Sequence, residues 1–123
     1  MTKELIEFAE DGNLEGVRRL IEEGVDINYQ DGVGWSALIW ASFWEQFEVV
    51  ELLIEKGAKI DLQDKHGETA LMVASHWGCL ETVKILIRKG AKLNLQNKEG
   101  KTALDIAREE NHEEIAELLT TKN

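Results

Sequence analysis

Apolar residues along the chain fall into two helical spacings that alternate and return. Ala37, Leu38 and Ala41 stand at i, i+1 and i+4, whereas Val50, Leu53 and Ile54 stand at i, i+3 and i+4 with charges around them. Each spacing puts a stripe on one face of a helix, facing a core. The pair recurs as Ala70, Leu71 and Ala74 followed by Val83, Leu86 and Ile87, and the first stripe recurs once more as Ala103, Leu104 and Ala107. A glycine precedes each first stripe, with a hydroxyl two residues later: Gly34 and Ser36, Gly67 and Thr69, Gly100 and Thr102. The glycine supplies a turn and the hydroxyl caps a helix start. Each second stripe runs into Gly57 or Gly90, suited to a left-handed helix end. Residues 58–64 and 91–97 then alternate apolar with polar side chains and turn, which predicts a hairpin-like connector.

The chain therefore repeats. Residues 30–62 and 63–95 agree without a gap at 17 of 33 positions, and residues 96–123 continue in the same register. Upstream, Gly12, Leu14, Glu15, Val17, Leu20, Gly24 and Asn28 stand 66 residues before Gly78, Leu80, Glu81, Val83, Leu86, Gly90 and Asn94, so residues 2–29 fit the second half of the unit. The expected organisation is one domain, 1–123, with an N-terminal capping unit at 2–29, full units at 30–62 and 63–95, and a C-terminal capping unit at 96–123. Helices of about nine or ten residues do not persist alone, so each unit must be stabilised by stacking on its neighbours. Lys3, Glu4, Glu7 and Glu10 at one end, and Arg108, Glu109, Glu110, Glu113, Glu114 and Glu117 at the other, give the polar dressing expected of a finite, complete stack.

Period 33, the pattern D-x-x-G-x-S/T-A-L-x-x-A-S, the run L-E-x-V-x-x-L-I-x-x-G-A-x-x-N/D and the order turn, helix, helix, connector together resemble ankyrin repeats over essentially the whole chain. The resemblance implies an all-α solenoid of stacked helix-turn-helix units with hairpin-like connectors. It also implies a non-enzymatic module that binds a protein partner on a concave face made of connector tips and first helices. Carried onto this chain, that face holds Gly32, Val33 and Trp35, then Lys65, His66 and Glu68, then Lys98, Glu99 and Lys101 at the tips. At the helix ends it holds Phe43 and Trp44, His76 and Trp77, and Glu109 and Glu110. The family's T-P-L-H is replaced by Ser36-Ala37-Leu38-Ile39, Thr69-Ala70-Leu71-Met72 and Thr102-Ala103-Leu104-Asp105, which removes the inter-repeat bonding of that histidine.

The first full unit departs most. It carries Phe43-Trp44-Glu45-Gln46-Phe47 where the next carries His76-Trp77-Gly78-Cys79-Leu80. Glu45 removes an easy left-handed turn, at roughly 1 kcal/mol. Phe43, Trp44 and Trp77 are expected to form an exposed aromatic hot spot. Trp40, aligned with Val73 and Ile106, and Phe47, aligned with Leu80 and Leu14, are expected in the core. Trp35 suits either a contact or a cover for the neighbouring turn. Cys79 reads as an inert substitution. Agreement in the frame combined with change on one face is a pattern that a natural or a redesigned binder would share.

Composition narrows the classes. With 14 basic and 24 acidic side chains the formal charge is −10, which repels a phosphate backbone, so nucleic acid is not the expected partner. No apolar run is long enough to span a bilayer and the first residues lack a signal-peptide core, so no membrane role is expected and a cytoplasmic setting is the default. Cys79 cannot form an internal disulfide, and the positions of His66, His76 and His112 match no metal-site spacing. No nucleophile, phosphate-binding or metallohydrolase motif is present, so no catalysis or cofactor is expected. The leading expectation is a monomeric binding module. The alternatives are a homodimer joined through the aromatic patch, or a scaffold whose tryptophans serve the core.

Overall fold

Capping chemistry sets the helix boundaries in the computed structural model, which describes residues 3–121. Met1, Thr2, Lys122 and Asn123, assigned by the repeat division to the two end units, lie outside the described residues. Eight helices follow in order: α1 (Lys3–Asp11), α2 (Leu14–Glu22), α3 (Ala37–Phe43), α4 (Phe47–Glu55), α5 (Ala70–Trp77), α6 (Leu80–Arg88), α7 (Ala103–Glu109) and α8 (Glu113–Thr121). Ser36, Thr69 and Thr102 sit in extended backbone, and their side chains accept from the N–H groups of Ile39, Met72 and Asp105. Each such cap is worth about 1 kcal/mol. Thr102 and Asp105 form a reciprocal capping box.

The second helices stop at left-handed glycines. Gly57 and Gly90 have φ of 101° and 97°, and the flanking N–H groups return to the last turn: Gly57 to Ile54 and Ala58 to Leu53, Gly90 to Ile87 and Ala91 to Leu86. This paired return satisfies carbonyls that the helix end would otherwise leave open.

Short turns join α1 to α2, α3 to α4, α5 to α6 and α7 to α8, so each pair folds back on itself. First helices stack as α1, α3, α5 and α7, and second helices as α2, α4, α6 and α8, giving two parallel layers. Residues 2–29 match the second half of the repeat in sequence, yet the described part holds both helices, with α1 packing on α3 as α3 packs on α5. The core is continuous along the layers. It runs from Leu5 and Ala9 through Leu38, Ala41, Val50, Leu53, Leu71, Ala74, Val83 and Leu86 to Ala107, Ile115 and Leu119. Alanines at Ala41, Ala74 and Ala107 let the first helices approach closely.

The connectors contain turns and no strand among the described residues. In the first, Asp31 N–H donates to Trp35 O and Gly34 N–H to Asp31 O, and the next two connectors copy this at Asp64 and Asn97. A Cβ on Gly34 would stand 2.7 Å from the backbone nitrogen of Lys65, so adjacent connectors stack too closely for any other residue.

Candidate functional site

A column of acceptors organises the connector tips. Asp31 Oδ1 accepts from the N–H groups of Val33 and Trp35, Asp64 Oδ1 from those of His66 and Glu68, and Asn97 Oδ1 from those of Glu99 and Lys101. The second carboxylate oxygen of each aspartate holds an indole: Trp40 Nε1 donates to Asp31 at 2.7 Å and Trp35 Nε1 donates to Asp64 at 2.8 Å. Turn shape and tryptophan placement therefore depend on the same two side chains.

From these anchors the aromatic rings touch in sequence. Trp35 meets Trp40 and Phe43 edge-on with centroids 4.5 and 5.6 Å apart, and Phe43 meets Trp44 at 4.8 Å and Trp77 at 5.6 Å. His76 packs on Trp77 at 4.8 Å. Edge-to-face pairs of this kind add about 0.5–1.5 kcal/mol each beyond burial. Phe43 is the half-buried hub, not part of the exposed patch that the sequence suggested. Trp44 and Trp77 are the outward members, 54% and 59% exposed.

Two further expectations are corrected. Phe47 was expected in the core, but it is 37% exposed, because it opens α4 beside the surface turn of Glu45 and Gln46; its counterparts Leu80 and Leu14 are themselves only half-buried. Trp40 is half-buried, whereas Val73 and Ile106 at its register are buried. The indole is too large for that position and leans outward into a groove of about 390 Å³ whose walls include Ile6, Glu7, Glu10 and Tyr29. Trp35 is half-buried against the neighbouring turn through its bond to Asp64.

Glu45 keeps the left-handed turn that the lost glycine would have made easy. Its φ is 58°, beside 73° at Gly12, 75° at Gly78 and 62° at Asn111. The turn closes as it does at the ends of the second helices, with Glu45 N–H on Ser42 O and Gln46 N–H on Ala41 O. Behind it Cys79 is buried. Burial first, and then the charge and hydrogen bond of Glu45, push its thiol pKa up to about 11. The side chain is held as an inert thiol.

The other tip and helix-end positions are laid out by the same register. Val33 is 51% exposed at the first tip, and Gly32, Lys65, His66, Lys98 and Glu99 are also exposed. Glu68 is partly buried and accepts from Asn97 Nδ2 at 3.3 Å. Lys101 bridges Glu109 at 3.0 Å and Glu99 at 3.5 Å, and the Glu109 hydrogen bond is the main reason its ammonium pKa is raised. Glu110 stands 3.7 Å from His76 Nδ1. Across the ends of α1, α3, α5 and α7, one register column reads Asp11, Trp44, Trp77 and Glu110, and its neighbour reads Glu10, Phe43, His76 and Glu109.

A set of bonds between repeats was not apparent in the sequence. Gln46 Nε2 donates to Glu10 O at 2.7 Å, Cys79 Sγ lies 4.0 Å from Phe43 O, and His112 Nε2 lies 3.0 Å from His76 O. Each joins the start of one second helix to the end of the preceding first helix. Gln30 and Gln63 add a ladder, donating to Gly34 O and Gln63 O, and to Gly67 O and Gln96 O, respectively. These bonds link the units where the missing T-P-L-H histidine does not. Among the described residues no group of three His, Cys, Asp or Glu side chains converges to hold a metal, and no helix is long and apolar enough to cross a membrane.

Helix pairs stacked in two layers, with in-register turns projecting at one edge, define a solenoid repeat protein. The chain belongs to the ankyrin-repeat family: a family model of ankyrin repeats in three copies matches residues 59–123, and one of ankyrin repeats in many copies matches residues 5–54. Proteins of this family are generally modules for binding other proteins and typically carry out no catalysis. A comparison with curated proteins found no match.

Proposed function

We propose that this chain is a non-catalytic binding module whose partner protein docks on the connector tips and the ends of the first helices, with Trp44 and Trp77 as its energetic centre. The observation that carries this reading is the exposure of two adjacent indoles, 54% and 59%, both packed on the half-buried Phe43. Large apolar rings are left in water while their base is braced by Trp35 and Trp40, which are themselves tied to Asp64 and Asp31. A rigid, pre-positioned aromatic pair loses little conformational entropy on binding, and such anchors contribute about 2 kcal/mol or more apiece at interfaces. Val33, Trp35, His66, Glu68, His76, Lys101, Glu109 and Glu110 form the surrounding contact surface in this reading.

The test compares the intact chain with the double variant Trp44→Ala, Trp77→Ala. A protein captured by the intact chain should bind the variant at least tenfold more weakly, while the far-ultraviolet helical signal stays unchanged. Equal affinity for both would sink the placement. The homodimer reading uses the same patch, and light scattering over a wide concentration range separates the two, since dimerisation that the double variant abolishes would favour it.

A further inference from the structure

We infer that the occupant of the aromatic face is a basic, extended protein segment: two cationic side chains, about eight residues apart, bracketing apolar side chains that sit on Trp44 and Trp77. This rests on the proposed binding face and adds its chemistry. Along the first-helix ends the order is Asp11, Trp44, Trp77, Glu110, with Glu10, Phe43, His76 and Glu109 alongside. Carboxylates thus stand at both ends of the row and aromatic rings in the middle. Asp11, Trp44, Trp77 and Glu110 are all exposed. Glu109 is partly neutralised by Lys101, and Glu110 has only the His76 imidazole near it, 3.7 Å away, so while that ring is neutral the bracket falls mainly on Asp11 and Glu10 at one end and Glu110 at the other.

The row differs from the connector tips beside it, where exposed Lys65 and Lys98 stand among exposed Glu99 and half-buried Glu68, so the tips are mixed in sign while the ends of the row are acidic. A chain lying along the row meets carboxylate, indole, indole, carboxylate. Lysine or arginine at its two ends meets opposite charge, and a cation that strays inward still finds the face of an indole. An acidic segment would meet repulsion at both ends of the row.

The spacing follows from packing. Neighbouring helices lie roughly 8–10 Å apart, so three intervals across α1, α3, α5 and α7 separate the end carboxylates by roughly 25–30 Å. Extended chain covers that in about eight or nine residues at ~3.3 Å each.

A displayed library of random twelve-residue peptides, selected on the intact chain, tests this. The expected pool pairs two lysines or arginines seven to nine positions apart around aromatic or aliphatic residues. A peptide synthesised from the pool should bind about tenfold more weakly in 300 mM than in 50 mM salt, and at least threefold more weakly to Asp11→Asn, Glu110→Gln. Both changes are at exposed positions, and an unchanged circular dichroism spectrum confirms the fold. Peptides without basic flanks that ignore the Asp11/Glu110 pair but lose affinity for Trp44→Ala, Trp77→Ala would overturn the charge bracket and leave the aromatic face standing. Peptides indifferent to the tryptophan pair would overturn the face itself. A library that yields no enriched sequence overturns the extended segment as occupant.

Discussion

Glu45 shows how much a single backbone angle decides. A residue with a Cβ at φ 58° costs about 1–2 kcal/mol relative to the ordinary helical region, and glycine avoids that while giving back about half as extra freedom in the unfolded chain. Glu45→Gly should therefore raise stability by roughly 0.5–1 kcal/mol, read from the urea midpoint; a lowered midpoint would show that the Glu45 side chain outweighs its strain. Cys79 gives a second test. Its thiol titrates near 9.0 when unfolded and near 11 when folded, so its contribution is complete below pH 9 and is lost as pH rises through 11. Between pH 8 and 11 the intact chain should lose roughly 2–3 kcal/mol more stability than Cys79→Ala, because two pKa units correspond to about that much. Coincident losses would contradict the raised thiol. At this scale the sequence was only partly readable. Its alignment identified Cys79 as inert, but the alignment of Trp40 with Val73 gave no measure of the space available to an indole, and the alignment of Phe47 with Leu80 and Leu14 did not show that the position is partly open in those units too.

Elements were far more legible, because each is announced more than once. Ser36, Thr69 and Thr102 cap helices where a hydroxyl after a turn glycine says they should, and Gly57 and Gly90 close the second helices. What the sequence hid was the coupling between elements. Gln46, Cys79 and His112 share no chemistry that an alignment would recognise, yet all three point at a carbonyl one repeat back. The geometry predicts their ranking. His112→Gln should keep stability within about 0.5 kcal/mol, since glutamine already makes this bond at Gln46, while His112→Ala should cost roughly 1 kcal/mol or more by leaving the His76 carbonyl short of a donor. Equal losses for the two variants, measured by chemical denaturation, would mean that imidazole packing against Gly78 matters more than the bond.

For the molecule as a whole, the hydrogen bonds that join repeats reach one neighbour and no further, as when Gln30 reaches Gln63 O and Gln63 reaches Gln96 O, each over 33 residues. The architecture is therefore extensible. Inserting a second copy of residues 63–95 after Leu95 keeps the junctions with residues 30–62 and with residues 96–123, adds one new junction between the two copies, and should raise the thermal midpoint of the longer chain. A lowered midpoint would show that the two copies stack poorly on each other, where a second carboxylate, Asp64, takes the place of the Asn97 amide that donates to Glu68. The insertion also moves the terminal carboxylates apart by one helix spacing, roughly 8–10 Å, or about three residues of extended chain. A stack with acids at its two ends is a ruler: its length selects the interval between charges in whatever lies along it, and the ruler is lengthened by one graduation with each repeat.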